Sequence, residues 1–242
     1  HGGSGLTVSV HHLTGSVTET LAAHIKDAGA DLVVMTTHGR GPVGKLWLGS
    51  IAEGLLRTAE APILLLRTAD RAIDARLGFR RVLVPLDQSE LAEHALSAAR
   101  ELLGEDGECI LLHVVHPGPL MGVMPVPFGI IPDLAADAAT RAPARSSLER
   151  MARRLRRAGV RARTAVTVAG SAAIDILDEA ARERADAIVV TTHGAGGLRR
   201  FLLGSVVDKL IRGADVPVLV CRPPARNPAP ATRRQLAGHQ GS

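Results

Sequence analysis

One segment of this chain occurs twice. Asp31–Arg67 (DLVVMTTHGRGPVGKLWLGSIAEGLLRTAEAPILLLR) returns without a gap as Asp186–Arg222 (DAIVVTTHGAGGLRRFLLGSVVDKLIRGADVPVLVCR). Identical pairs include Thr36/Thr191, Thr37/Thr192, His38/His193, Gly39/Gly194, Gly49/Gly204, Ser50/Ser205 and Pro62/Pro217. A repeat constrains architecture before any local pattern does, because two similar segments must solve the same packing problem. It also allows a motif in one copy to be tested against the other.

The chain's 242 residues leave room for two ordinary domains. Hydrophobic residues make up 46% and aromatics only 2%, with no Tyr, so the cores must be aliphatic, as a buried parallel sheet requires. In residues 79–222 short apolar runs alternate with helical patterns. Strands are expected at Val82–Leu86, Cys109–Val115, Arg161–Val168, Ala187–Thr191 and Val216–Cys221. Helices are expected over about Glu90–Leu103, Ser146–Ala158, Ala172–Arg184 and from Ser205 to Arg212. That alternation implies right-handed crossovers, hence an α/β domain on an open parallel sheet of five strands with helices on both faces.

The first copy is shorter. Leu6–Val10 matches the third of these strands, Leu32–Thr36 the fourth and Ile63–Arg67 the fifth, with a helix at Val17–Ala28. Nothing before them supplies the first two strands, and the chain begins with His1 rather than Met, so its N-terminal part is expected to be missing. The domains expected are thus residues 1–70 (partial), residues 79–222 (complete) and a disordered tail, 223–242, rich in Pro, Ala and Arg. The Pro- and Gly-containing connection His116–Pro143 exceeds the usual loop length and carries Met121, Met124, Phe128 and Ile130, which suits a cover for a crevice or a partner contact.

Several function classes recede. No apolar run approaches the ~20 residues of a membrane span, and no secretory signal pattern is visible. Cys109 and Cys221 lie singly in strand-like runs, which suits small buried hydrophobes in a reducing cytoplasm. The net charge of +5 raises the question of nucleic acid, but aromatics for stacking are scarce. The arginines at 153, 154, 156 and 157 fit a solvated helix face beside the apolar stripe Leu148, Met151 and Leu155. No Ser/His/Asp or paired-carboxylate spacing points to fast catalysis, and His113 and His193 read as structural.

Two phosphate-binding patterns fit the first copy. Gly39, Gly41 and Gly44 satisfy G-x-G-x-x-G, and Gly39 to Lys45 satisfies G-x-x-x-x-G-K. The second pattern fails at Leu46, where a hydroxyl should hold magnesium, and the first has only Asp70 as a loose ribose acid. Neither pattern survives in the second copy, where Arg199 and Arg200 replace Gly44 and Lys45. What both copies keep is His-Gly, nine residues, then Gly-Ser.

That shared element is similar to the signature of the universal stress protein family, G-x2-G-x9-G-[S/T] after the fourth strand. Gly194, Gly204 and Ser205 fit its last three positions, while Thr191 stands at the first. The resemblance extends over residues 79–222 and 5–67, with Asp87 at the end of the first strand and His113-Val114 at the end of the second. It implies a Rossmann-like sheet of order 3-2-1-4-5, related to adenine nucleotide alpha hydrolases, that binds ATP or a related adenine nucleotide, with or without Mg²⁺. Pro85, Asp87, Val114, Val190 and Thr191 would border the nucleoside. Gly194, Gly204, Ser205 and Val206 would border the phosphates. Asp87 equally suits a helix cap, and Gly204-Ser205 an ordinary helix start. The family also implies pairing through the fifth strands, Ile63–Arg67 and Val218–Arg222, within one chain or between two. The function expected is a cytoplasmic, nucleotide-binding stress-response regulator; a slow ATPase and a nucleotide-free scaffold are the alternatives. The first copy, without a first strand, is expected to form no complete nucleotide site.

Overall fold

The computed structural model describes residues 7–37, 48–66, 78–87, 92–115, 134–168, 170–192 and 203–222. The first copy contributes α1 (Val17–Asp27), β1 (Val33–Thr36), α2 (Ser50–Thr58) and β2 (Ile63–Leu66). The second contributes β3 (Phe79–Pro85), α3 (Ala92–Leu102), β4 (Leu103–Val115), α4 (Leu134–Arg157), β5 (Arg161–Val168), α5 (Ala172–Arg182), β6 (Ala187–Thr191), α6 (Ser205–Gly213) and β7 (Val218–Cys221). The expected tail at 223–242 and residues 116–133 of the expected connection lie outside the described residues.

The strands form one sheet in the order β1-β2-β7-β6-β3-β4-β5. Residues 79–222 supply the expected 3-2-1-4-5 order, with every neighbour parallel. The five-stranded expectation is corrected, because β1 and β2 extend the same sheet to seven strands. At the junction β2 runs antiparallel to β7, with Ile63 opposite Val220, Leu64 opposite Leu219 and Leu65 opposite Val218. Both strands are aliphatic along their length, so leaving either as an open edge would expose apolar side chains and unpaired backbone together. Arg222 seals the junction by donating from Nη1 to the Arg57 carbonyl, 2.7 Å away, just before the end of α2. A cation there also suits the negative end of the helix dipole.

Alternation along each strand divides the interior into two layers. Leu83, Ile110, Leu112, Ile188, Val190, Val218 and Val220 face α2, α5 and α6 on one side, where Ile63 and Leu65 of the first copy join them. Val82, Val84, Cys109, Leu111, Ala187, Val189 and Leu219 face α3 and α4 on the other. The central strands are covered on both faces, which explains their unbroken apolar runs.

Three element expectations need correction. Leu6–Val10 forms no strand over its described residues, and Val8 and Val10 are 81% and 93% exposed. Its counterpart β5 is a strand because β4 lies beside it; alternation without a neighbouring ladder leaves the backbone to water. The helix expected from Ser146 begins at Leu134 and passes through Pro143. Proline removes one helical bond, but Ala144, Leu148, Ala152 and Leu155 form a buried stripe that holds the helix to the sheet. β4 begins at Leu103 rather than Cys109, because Leu103 pairs with Phe79 before a register shift leading to Arg81 opposite Glu108. Gly78, at φ +64°, makes that approach possible: a Cβ there would lie 2.8 Å from the Gly104 nitrogen.

Candidate functional site

β3 and β6 pair at only two positions, Val82 with Ala187 and Leu83 with Ile188. Beyond them the strands part, at the point where the first strand of the second copy, β3, has neighbours on both sides. Open parallel sheets bind ligands at such switch points. Pro85 explains why the ladder stops. The Leu86 N–H donates toward β4, to the Leu112 carbonyl at 2.8 Å. Backbone donors alternate sides along a strand, so the position-85 nitrogen faces β6, and proline has no hydrogen to give.

The parted strand ends open into a cavity of about 570 Å³, within the usual range for small-molecule sites. Pro85, Asp87, Val114, Val190, Thr191, Gly204, Ser205 and Val206 all line it. The structure thus brings together every expected site residue among those described. Gly194 lies outside the described residues, as do Gly39, Gly41, Gly44, Lys45, His193, Arg199 and Arg200.

Asp87 follows β3 at the rim, exposed, and is the one formally charged side chain among the described lining residues. The start of α6 lines the same cavity. Gly204 is the N-cap, in extended conformation, and its lack of a side chain leaves the first-turn amides without a side-chain cap. Those amides and the helix dipole favour an anion or a ligand oxygen. Thr191, half-buried, ends β6 opposite Cys221 of β7. The Thr192 N–H donates to the Cys221 carbonyl at 2.9 Å, and its own carbonyl accepts from the Gly204 N–H at 3.3 Å.

The first copy repeats this clamp. The Thr37 N–H donates to the Leu66 carbonyl at 2.9 Å, and the Thr37 carbonyl accepts from the Gly49 N–H at 3.2 Å. The shared Thr and Gly therefore have a structural task in both copies: their backbones fasten the starts of α2 and α6 to the ends of β1 and β6. Among the described residues a further strand, β3, lies beside β6 in the second copy, whereas β1 is an edge.

Sequence reasoning missed the apolar wall. Ala95 of α3, Ala172 and Ile176 of α5, and Leu210 of α6 line the cavity. Their signal was the helical apolar stripe, which reads as core and does not show which end of it meets a crevice. His113 also lines the cavity; its Nδ1 lies 2.6 Å from the Leu86 carbonyl oxygen.

The two thiols do not belong to this chemistry. Burial, helped by nearby Glu108 for Cys109 and Glu101 for Cys221, pushes each up to about 12, so neither is a ready nucleophile. Among the described residues no three His, Cys, Asp or Glu side chains are placed to hold a metal ion. No helix among the described residues is long and apolar enough to cross a membrane.

The family model described as "Universal stress protein family" matches residues 1–67 and 78–222. A universal stress protein of Mycolicibacterium smegmatis is 32% identical over 226 residues, covering 90% of this chain and 70% of that protein. One from Methanocaldococcus jannaschii is 31% identical over 154 residues, covering 61% of this chain and 85% of that protein. The crystal structure of a universal stress protein from Archaeoglobus fulgidus aligns with a TM-score of 0.55 at 25% identity. That alignment covers 85% of this chain and 64% of the Archaeoglobus chain, so this chain spans less than two thirds of it. With matches on both sides of residues 68–77, the chain belongs to the universal stress protein family.

Proposed function

We propose that the cavity between β3 and β6 binds ATP or a related adenine nucleotide, and that the protein is a cytoplasmic stress-response regulator rather than a fast enzyme. The observation that carries this reading is the pairing of Asp87 with the α6 N-terminus across one cavity. A carboxylate accepts hydrogen bonds from a ribose or an adenine edge, while uncapped helix amides receive a phosphate. The apolar wall of Val114, Val190 and Ile176 suits the faces of a base. Gly204 fits the same reading. Its backbone angles are ordinary and a Cβ would stand 3.4 Å from the Thr192 carbonyl, so close approach of a ligand gives a better reason for glycine than strain does.

The first copy of this chain is proposed to bind no nucleotide, because among the described residues β1 is an edge of the sheet, with no strand in the position that β3 takes beside β6. Binding is therefore expected at one nucleotide per chain. The test is calorimetric titration with ATP, together with thermal melts. At a concentration a hundredfold above Kd, ATP should add about 2.7 kcal/mol of stability, which raises Tm by roughly 5–10 °C for a chain of this size. Asp87→Ala should abolish most of that increment, measured against the variant's own ligand-free melt. No ATP-dependent rise in the unmodified protein would sink the reading, and a stoichiometry of two would sink the claim about the first copy.

A further inference from the structure

His113 is a second polar group in the cavity wall, and it acts on the strand that carries Asp87. Its Nδ1 is 2.6 Å from the Leu86 carbonyl oxygen. A carbonyl oxygen only accepts, so Nδ1 carries a hydrogen and donates it. The β3–β4 register ends at Pro85 opposite Leu112, and the histidine ring takes up the next carbonyl in place of a further backbone rung. Leu86 is thereby gripped three ways: its side chain is buried at 4% exposure, its N–H donates to Leu112, and its carbonyl receives the His113 ring.

The consequence falls on the next residue. The Leu86 carbonyl and the Asp87 N–H belong to one peptide plane, so fixing the oxygen fixes the direction in which the Asp87 Cα leaves it. Asp87 is exposed and follows the last residue of the strand by two, so the direction it takes depends on the Leu86 ψ. We propose that His113 is a positioning residue: it locks the Leu86–Asp87 peptide and so sets where the Asp87 carboxylate meets the ligand. This rests on the nucleotide reading of the cavity, and it deepens that reading by assigning the orientation of the acceptor to a side chain on a different strand.

Two substitutions separate positioning from general packing. Asn carries an N–H at the δ position, as the histidine ring does, whereas Leu fills space without a donor. ATP affinity of His113→Leu should fall about tenfold, while His113→Asn should stay within about threefold of the unmodified protein. In an Asp87→Ala background His113→Leu should cost nothing further, since the two act through one contact. Equal losses in the Leu and Asn variants, or additive losses with Asp87→Ala, would overturn the proposal. A ligand-free readout keeps it separable from the nucleotide reading. The backbone amide resonance of Asp87 should shift in His113→Leu and return in His113→Asn. If the unmodified protein binds no ATP, the nucleotide reading fails and the amide comparison decides the lock. An unmoved Asp87 resonance in His113→Leu overturns it.

Discussion

Arg163, near the start of β5, donates from Nη1 to Glu183 Oε1 at 2.8 Å and from Nη2 to Glu183 Oε2, and its Nε lies 3.3 Å from Glu108. The bidentate bond from Arg163 is the main cause that holds the Glu183 carboxyl below its ordinary 4.5. A carboxylate depressed in the folded state adds stability that is fully present above the ordinary range and is lost as pH falls through the depressed value. The Arg163 side chain is 37% exposed, so water screens much of the interaction and the contribution stays below about 1 kcal/mol. Glu183→Gln should therefore be less stable than the unmodified protein near neutrality by about 0.5–1 kcal/mol. That gap should close in acid. Urea unfolding at about pH 7 and about pH 3 checks it, and a gap that widened in acid would reverse the sign argued here.

Residues also show what sequence reading can reach. Asp87 and Ser205 were legible because they sit at fixed offsets from strand ends and from a helix start. The Leu86–His113 bond was not, since it joins a side chain to a backbone carbonyl 27 positions away and leaves no local pattern. Thr191 stood out in the sequence only as a departure from a signature; the structure adds that it lines the cavity at the end of β6.

At the scale of elements, β5 and β6 matched their expected bounds because polar or turn residues flank a clean apolar pattern. α4 did not, because the rule that a proline stops a helix was outweighed by the packing of the turns that follow it. A helix that truly passes through Pro143 lacks one backbone bond there. Pro143→Ala should then stabilise the protein by about 1–3 kcal/mol, as the exposed site regains that bond. Chemical denaturation provides the measurement. A neutral or destabilising change would place the helix start at Pro143 itself, where proline is well tolerated. The unformed strand at Thr7–Val10 teaches the converse: period-two alternation describes a face, and a ladder needs a neighbour.

For the whole molecule, the β2–β7 junction makes the two copies one sheet over one continuous layer, in which Leu55 and Leu56 of α2 share the core with Leu210 and Ile211 of α6. Amides of β2 should consequently exchange with solvent about as slowly as those of β6 and β7, because opening the first copy strips apolar cover from the second. Hydrogen exchange in the native state reads this directly. Exchange of β2 that is orders of magnitude faster would show that the first copy opens alone.

The antiparallel sense of that junction has a geometrical consequence. Within each copy the strands run parallel, so a single reversal between β2 and β7 points β1 against β6. The helix starts at Gly49 and Gly204 follow β1 and β6, and they therefore emerge at opposite rims of the sheet. No single small molecule can touch both. The two glycine-serine elements address separate sides of the particle.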